Sequence, residues 1–447
     1  MNVMPELVPF AVDRADITPY YEALDAALAG TGPALAPYEA GTPAPDVPRH
    51  PTDAPERLAL VVSTSGSTGT PKRAMLTKDA LIASATATHE RIGAGTWLLP
   101  LPPHHIAGTQ VIVRSLIAGT TPIVMDAWSL EQFTRATTLV ARNAPPFSPI
   151  HTSLVPTQLR DVLDAAERDD PVGVRALEAA RRYRSILVGG AATPPDLQSR
   201  ASDAGLSIVT TYGSSETAGG CVYDGVPLAG VGVHVLDADD EGLGRIALSG
   251  PTLASGYLGD AERSAATFVA ARTLARPTID SSPVDSAPDG DASRESAPTG
   301  LSERRRSEAT PGEATLFLTD DLGRFDGALH IEGRIDDVIN TGGYKVSPRV
   351  VEEVVRGVDG IRDVVVVARP HERWGQCVAV AVVTTERSEA TADALARLMG
   401  ECRKALPPYA VPAMARVLET IPLTGVGKPD RALIARSPEW HNLRDPR

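Results

Sequence analysis

Cysteine is scarce in this chain: Cys221, Cys377 and Cys402 are scattered and odd in number. That excludes a disulfide framework or a cysteine-built zinc site and suits reduced thiols in cytosol. Positive charge is also short, with 43 Lys and Arg against 56 Asp and Glu, a formal net charge of −13. An acidic surface repels nucleic acid and anionic membrane, so neither is expected as a partner; basic groups inside a cleft still admit anionic substrates. No apolar run is long enough to span a bilayer, and Met1 to Tyr20 mixes charges without the apolar core of a leader. A cytoplasmic protein without membrane insertion is expected. Aromatics are few at 4%, yet 43% hydrophobic and 22% charged residues are ordinary globular values. At 447 residues the chain exceeds one ordinary core, so two or more domains are expected.

What is present is concentrated in residues 59 to 73, ALVVSTSGSTGTPKR. A β-prone run, Leu58 to Val62, ends in a loop of hydroxyls and glycines closed by Thr70, Pro71 and Lys72. Gly66 and Gly69 let successive N–H groups turn toward one anion. Ser63, Thr64, Ser65, Ser67, Thr68 and Thr70 add hydroxyl donors, and Lys72 adds a point charge. The loop fails the Walker spacing G-x-x-x-x-G-K-[ST], which disfavours a P-loop kinase. The alternative, a flexible Ser/Gly linker, sits poorly behind a buried-looking strand.

Residues 30 to 56 read as a loop or extended lead-in. Thr77 is a plausible N-cap for a helix carrying Leu81, Ala85, Thr88 and Ile92. Trp97 to Leu101 reads as a buried strand ending in Pro102-Pro103-His104-His105-Ile106-Ala107-Gly108, a turn that presents two imidazoles. Val111 to Ala118 reads as helix, Pro122 to Met125 as strand, and Ser153 to Leu159 as the opening of another helix. Ile186 to Val188 is a strand entering Gly189-Gly190-Ala191-Ala192, and Ile208 to Thr211 one entering Tyr212-Gly213-Ser214-Ser215-Glu216-Thr217. This alternation predicts α/β layers with a largely parallel sheet, whose strand ends form a ligand crevice. Gly230 to Gly250 reads as a small antiparallel unit. Residues 273 to 312 are dense in Ser, Pro, Asp, Arg and Glu and cannot bury enough apolar surface to offset their ordering entropy, so a disordered insertion is expected. From Ala314 onward, strands and helices return and close in a compact α+β module.

Taken in order, STSGSTGTPK, PLPPHHIAG, GGAA, YGSSET, TDDLG, GRIDDVINTGGYKV and PLTGVGK resemble the adenylate-forming superfamily of acyl-CoA synthetases, luciferases and peptide-synthetase adenylation domains. The resemblance runs over roughly residues 60 to 430. It implies a large N-terminal domain (residues 1–335) and a small mobile C-terminal domain (residues 336–447) hinged at Asp336. It also implies ATP, Mg2+ and coenzyme A, and two half-reactions: a carboxylate attacks the α-phosphate of ATP, then a thiol displaces AMP. A carboxylate needs no general base, so the requirement is charge stabilisation and positioning.

By this resemblance, Thr64, Ser65, Gly66, Ser67, Thr68, Gly69, Thr70 and Lys72 would hold the β- and γ-phosphates. Gly190, Ala191 and Ala192 would form the adenine pocket, with Tyr212 stacking on the base beside Gly213. Ser215 stands where the family usually has threonine and keeps the hydroxyl for the α-phosphate. Glu216 would be the magnesium ligand, Asp321 the ribose acceptor and Arg334 a ribose or phosphate contact. Thr319-Asp320-Asp321 replaces the family's Thr-Gly-Asp, so the turn before Asp321 is expected to differ. Lys428, in a Gly-rich loop, would neutralise charge during adenylation, and Gly342, Gly343 and Lys345 would swing in for thioester formation.

Within the superfamily, HTSLVPTQL (151 to 159), the PLPPHHIAG turn and SSETAGGCVYDGVPL (214 to 228) resemble the o-succinylbenzoate–CoA ligases of menaquinone biosynthesis. That implies an acid pocket drawn from His105, Ser153, Gln158, Gly219 and Gly220, with Arg114 or another base for a second carboxylate. Three readings stay open: a CoA ligase for this or another aromatic or aliphatic acid, an adenylation enzyme loading a carrier protein, and a non-catalytic ATP-binding protein. The expected partners are therefore a carboxylic acid, ATP and CoA, and a homodimer is compatible with them.

Overall fold

The computed structural model describes residues 5–64, 72–273, 279–280, 314–385, 389–423 and 429–443. It is a mixed α/β structure with a large N-terminal and a smaller C-terminal domain. The chain opens with a four-stranded sheet in the order β1 (Leu7–Val12), β2 (Ala34–Glu39), β3 (Leu58–Thr64) and β4 (Lys72–Thr77). Residues 30 to 56 are therefore not only a lead-in: Ala34 to Pro37 is buried and pairs in parallel with β1. Its prolines and alanines hide strand periodicity, but a parallel neighbour on each side supplies the ladder that propensity does not.

The central sheet has seven strands, β5 (Thr96–Leu99), β6 (Ile123–Val124), β7 (Ile150–Leu154), β8 (Ser185–Val188), β9 (Ile208–Ser214), β10 (Gly219–Tyr223) and β11 (Val226–Pro227). Its order is β11-β10-β9-β8-β7-β5-β6, with β5 to β9 parallel to their neighbours and β10 and β11 antiparallel. Parallel strands covered on both faces need apolar residues at every position. Successive residues accordingly enter different cores. Trp97, Leu99 and Leu187 pack with helices Lys78–Ile92 and Ile106–Ile117, while Leu98, Ile186 and Val188 pack with helices Leu130–Asn143, Pro156–Glu167 and Pro195–Asp203. Ser153 and Leu154 complete β7, and the next helix starts at Pro156, not at Ser153. Pro156 lacks the N–H that a strand or a helix interior would use, which sets that boundary. Thr77 caps the Lys78–Ile92 helix by accepting from Ala80 N at 3.1 Å, as expected.

A third, largely antiparallel sheet contains β12 (Gly232–Leu236), β13 (Gly244–Ser249), β14 (Phe268–Ala270), β15 (Ile279–Asp280), β16 (Thr315–Phe325) and β17 (Leu329–Arg334). The expectation of a disordered insertion falls mostly outside the described residues; within its span, β15 pairs with His234 and Val235 of β12. The last sheet comprises β18 (Ile339–Thr341), β19 (Tyr344–Val346), β20 (Ile361–His371), β21 (Gly375–Thr384), β22 (Met414–Val417) and β23 (His441–Asn442). Helices Pro348–Arg356 and Glu389–Ala405 belong to the same part of the chain, which has its own core around Val351, Val366, Val380 and Leu398. Among the described residues no helix is long and apolar enough to cross a membrane.

Candidate active site

Strands β5, β7, β8 and β9 run the same way, so their carboxyl ends open on one edge of the sheet, where ligands of such folds lie. A cavity of about 1460 Å³ sits there. Its wall takes Pro102 and His105 from the turn after β5, Ser153 from β7, Gly189 and Gly190 from beyond β8, and residues 211 to 216 from β9 and its turn. Lys72, Asp321 and Arg334 enter from the other sheets.

The turn after β9 is tightly specified. Ser214 Oγ accepts from Glu216 N at 3.2 Å, and Thr217 Oγ1 accepts from Ser214 N at 2.9 Å. Ala218 takes a left-handed conformation at φ 51° while fully buried, and its carbonyl accepts from Ser84 Oγ at 2.9 Å. A Cβ at Gly213 would run into the carbonyl oxygen of Gly219 and lie 2.7 Å from Gly220 Cα, so the close approach of β9 and β10 requires glycine there.

Around this turn the polar side chains are joined in pairs. Tyr212 Oη donates to Asp321 Oδ2 at 2.6 Å, linking the expected adenine platform to the expected ribose acceptor. Burial and the Asp321 carboxylate hold the Tyr212 phenol well above its ordinary pKa, so it stays a donor. Tyr257 Oη donates to Glu216 Oε1 at 2.9 Å, and its ring lies 5.7 Å from Lys72 Nζ. Glu216 is buried, and its Oε2 has no hydrogen-bond partner among the described residues. Arg334 grips Asp336 with two bonds of 2.8 and 2.9 Å and lies 3.5 and 3.7 Å from Asp320 and Asp321. These hydrogen bonds and charges raise its pKa further, so it remains a cation. Asp320, at the position where the resemblance expects glycine, also faces Arg245 at 3.6 Å, and Arg245 Nε donates to Thr319 O at 2.7 Å.

At the other end of the cavity His105 sits at the N-terminus of helix Ile106–Ile117, its ring 4.3 Å from that of His104. The turn is fastened by Thr109, whose N and Oγ1 donate to His105 O at 2.8 Å and Pro103 O at 2.9 Å. Burial, then His104 and Arg14, push the His105 pKa down to about 4, leaving a neutral imidazole at neutral pH. Gln158 Oε1 accepts from Val155 N at 3.0 Å and so fixes the start of its helix. Further along helix Ile106–Ile117, Arg114 lines the cavity while only 3% exposed. Its guanidinium lies 5.3 Å from the Trp97 ring centre, and Nη2 donates to Tyr223 Oη at 3.3 Å. No carboxylate of the described residues pairs with it.

The structure thus gathers Lys72, His105, Ser153, Gln158, Gly190, Tyr212, Gly213, Ser215, Glu216, Gly219, Gly220, Asp321 and Arg334 around one cavity. Ala191 and Ala192 follow Gly190 but do not line it, and Asp336 stands behind Arg334. Gly343 and the exposed Lys345 are likewise away from the wall. Thr64 ends β3 beside Lys72. Ser65, Gly66, Ser67, Thr68, Gly69, Thr70 and Lys428 lie outside the described residues, although Thr420, Ile421 and Leu423, leading toward Lys428, reach the cavity. Tyr257, Arg245, Gly189 and Tyr223 were not expected at the site. Only Tyr257 had a local signal, an aromatic flanked by Gly256 and Gly259.

Comparison with known proteins identifies the family. The AMP-binding enzyme model matches residues 11–258, and the AMP-binding enzyme C-terminal domain model matches residues 350–428. The chain belongs to the AMP-binding enzyme family. One relative, a probable 2-succinylbenzoate–CoA ligase of Mycobacterium tuberculosis (strain H37Rv), is 36% identical over 384 residues, covering 85% of this chain and 84% of the relative. Among solved structures, the o-succinylbenzoate CoA synthetase of Bacillus subtilis with its acyl-adenylate intermediate aligns at TM-score 0.64 and 19% identity, covering 96% of this chain and 82% of that one. ATP-bound MatB of Rhodopseudomonas palustris aligns at 0.66 and 19%, covering 97% and 79%. At such identity these two describe the fold. For this AMP-binding enzyme, Glu216 fits magnesium: a buried carboxylate at the cavity wall with one oxygen held by Tyr257 and the other without a partner among the described residues. Among the described residues no cluster of three or more His, Cys, Asp or Glu could hold a metal alone. That suits an ion that shares its oxygen ligands with nucleotide phosphates and water.

Proposed function

We propose that this chain is a cytoplasmic AMP-forming ligase that adenylates 2-succinylbenzoate and transfers the acyl group to coenzyme A. The observation that carries the choice of acid is Arg114. Burying a guanidinium without a counter-ion costs several kcal/mol. Arg114 is buried at a cavity wall with no counter-ion among the described residues, so the missing anion is supplied by the substrate. An acid with one carboxylate to activate and a second to pair with Arg114 meets that requirement; a fatty acid does not. The 36% identical relative bears the name of the same activity.

In the first half-reaction a carboxylate oxygen of the acid bonds to the α-phosphorus, and the bond to the β-phosphate oxygen breaks to release pyrophosphate. The nucleophile is already ionised, so no side chain has to take a proton. Lys72, with the hydroxyls and glycines that precede it in the sequence, would hold the β- and γ-phosphates, and Ser215 the α-phosphate. Asp321, held by Tyr212, receives the ribose hydroxyls, and Gly190 with Ala191 and Ala192 borders the base. Glu216 would hold magnesium, which would supply positive charge to offset that on the phosphates. The neutral His105 orients the acid together with Ser153, Gln158, Gly219 and Gly220. Lys428 would offset charge at the α-phosphate. In the second half-reaction the CoA thiol sulfur bonds to the acyl carbon and AMP leaves. Residues 336–447 turn about Asp336 and bring Gly342, Gly343 and Lys345 to the site.

The test is thioester formation from ATP, magnesium and CoA with 2-succinylbenzoate, benzoate, fatty acids and amino acids. Selective thioester from 2-succinylbenzoate is expected. Pyrophosphate release without thioester would instead show a carrier-loading enzyme, and no turnover with any acid a non-catalytic protein.

A further inference from the structure

Tyr223 and Thr88 are fully buried, and neither carries out chemistry in the scheme above. They form a chain of hydrogen bonds whose direction is dictated at both ends. Thr88 Oγ1 lies 2.9 Å from Ser84 O, and a carbonyl has no proton to give, so Thr88 donates there. Thr88 has one hydroxyl proton. Tyr223 Oη, 3.0 Å from Thr88 Oγ1, must therefore donate to it. Arg114 has no acceptor, so its Nη2 donates to Tyr223 Oη across 3.3 Å. The two constraints agree: each oxygen donates away from the guanidinium and presents a lone pair toward it.

We propose that Tyr223 and Thr88 are positioning residues that set Arg114 for a dicarboxylic substrate. This rests on the reading of Arg114 as the partner of the second carboxylate. Trp97 supports one face of the guanidinium and Tyr223 tethers one nitrogen, while Nε–H is left without a protein partner. A fork fixed by one edge loses little freedom when a carboxylate binds another, which raises affinity without adding a contact. Tyr223 lies on β10 and Thr88 on helix Lys78–Ile92, so selectivity is set by packing between these two elements. Ser84, one turn before Thr88, anchors both ends of this arrangement: its carbonyl receives Thr88, and its hydroxyl holds Ala218 O below the Glu216 turn.

The test compares KM for 2-succinylbenzoate with KM for its analogue in which the carboxylate that is not activated has become a primary carboxamide. Tyr223→Phe keeps the ring and removes the hydroxyl. It is expected to raise KM for the dicarboxylate about tenfold, the usual weight of a hydrogen bond to a charged group. KM for the carboxamide, KM for ATP and kcat should each stay within about twofold, because no charge-assisted contact is lost there. Thr88→Val should act in the same direction by about threefold, and adding it to Tyr223→Phe should do nothing more, since it works through Tyr223. Equal rises for both acids in either variant, or a fall in kcat with KM unchanged, would overturn the positioning role. A wild-type enzyme that accepts the carboxamide as readily as the diacid would remove the reading of Arg114 and this proposal with it.

Discussion

His151 is fully buried on β7, 5.0 Å from the Trp97 ring, and neither of its ring nitrogens has a hydrogen-bond partner among the described residues. Burial, followed by the nearby His89, Arg114 and Arg184, pushes its pKa down to about 4 from an ordinary 6.5. The folded chain thus refuses a proton that the unfolded chain accepts. The stabilising contribution is whole above pH 6.5 and is lost as pH falls toward 4. Between pH 7 and pH 5 this one side chain should remove about 2 kcal/mol of stability. His151→Phe, of similar size and without a titrating group, should lose that pH-dependent decrement when urea midpoints are compared at the two pH values. An unchanged decrement would show that other groups carry the acid sensitivity. Legibility differed sharply at this scale. Glu216, Asp321 and Arg334 were named from flanking motifs, whereas Tyr257 and Tyr223 matter through partners 41 and 109 residues away, beyond the reach of any local pattern.

The segment from β9 to β10 is the element on which the nucleotide end of the cavity depends. Gly213→Ala would drive a Cβ into the backbone of Gly219 and Gly220, where no flexible side chain can give way. Separating the two strands should cost about 1–3 kcal/mol. It should also displace Glu216 and Tyr212, so a lowered Tm should come with weakened ATP binding by calorimetry. Unchanged nucleotide affinity would mean that the turn holds its shape without the strand contact. The helices and parallel strands of this region were largely readable from apolar runs and caps such as Thr77. The strand Ala34–Glu39 was not, because Pro37 and three small or polar residues carry no alternating pattern and the pairing partner lies elsewhere in the chain.

At the scale of the whole molecule, an ion pair far from the 335/336 boundary in sequence also links the two domains beside the cavity. Arg160, on the helix Pro156–Glu167, lies 3.4 Å from Asp363 on β20. In the same arrangement Thr420, Ile421 and Leu423 line the cavity, while Tyr344, next to Lys345, stacks on Tyr409 at 4.3 Å and 7° outside it. Under the proposed turn of residues 336–447 about Asp336, a rotation that brought Lys345 inward would separate Arg160 from Asp363. Partly exposed pairs of this kind contribute up to about 1 kcal/mol, a shift of about fivefold between two arrangements. Asp363→Lys should therefore slow adenylation by about that factor, with thioester formation from supplied acyl-adenylate unaffected. The swap Arg160→Glu with Asp363→Lys should restore it. Equal slowing of both half-reactions would assign the pair to stability alone.

By itself the sequence determined the kind of fold and the ordered nucleotide motifs, and it named some of the residues that the structure brings around the cavity. Those depend on local chemistry: glycines where the backbone must turn, apolar runs where both faces of a sheet are covered, carboxylates and hydroxyls at strand ends. Tertiary structure alone decided which polar groups are joined. It put Tyr257 on Glu216, Tyr212 on Asp321 and Tyr223 on Arg114, and it left Arg114 buried with no carboxylate of the described residues beside it. The physical reason is distance along the chain. A motif records what one segment can offer, while desolvation and pairing depend on what other segments bring within about 3 Å of it.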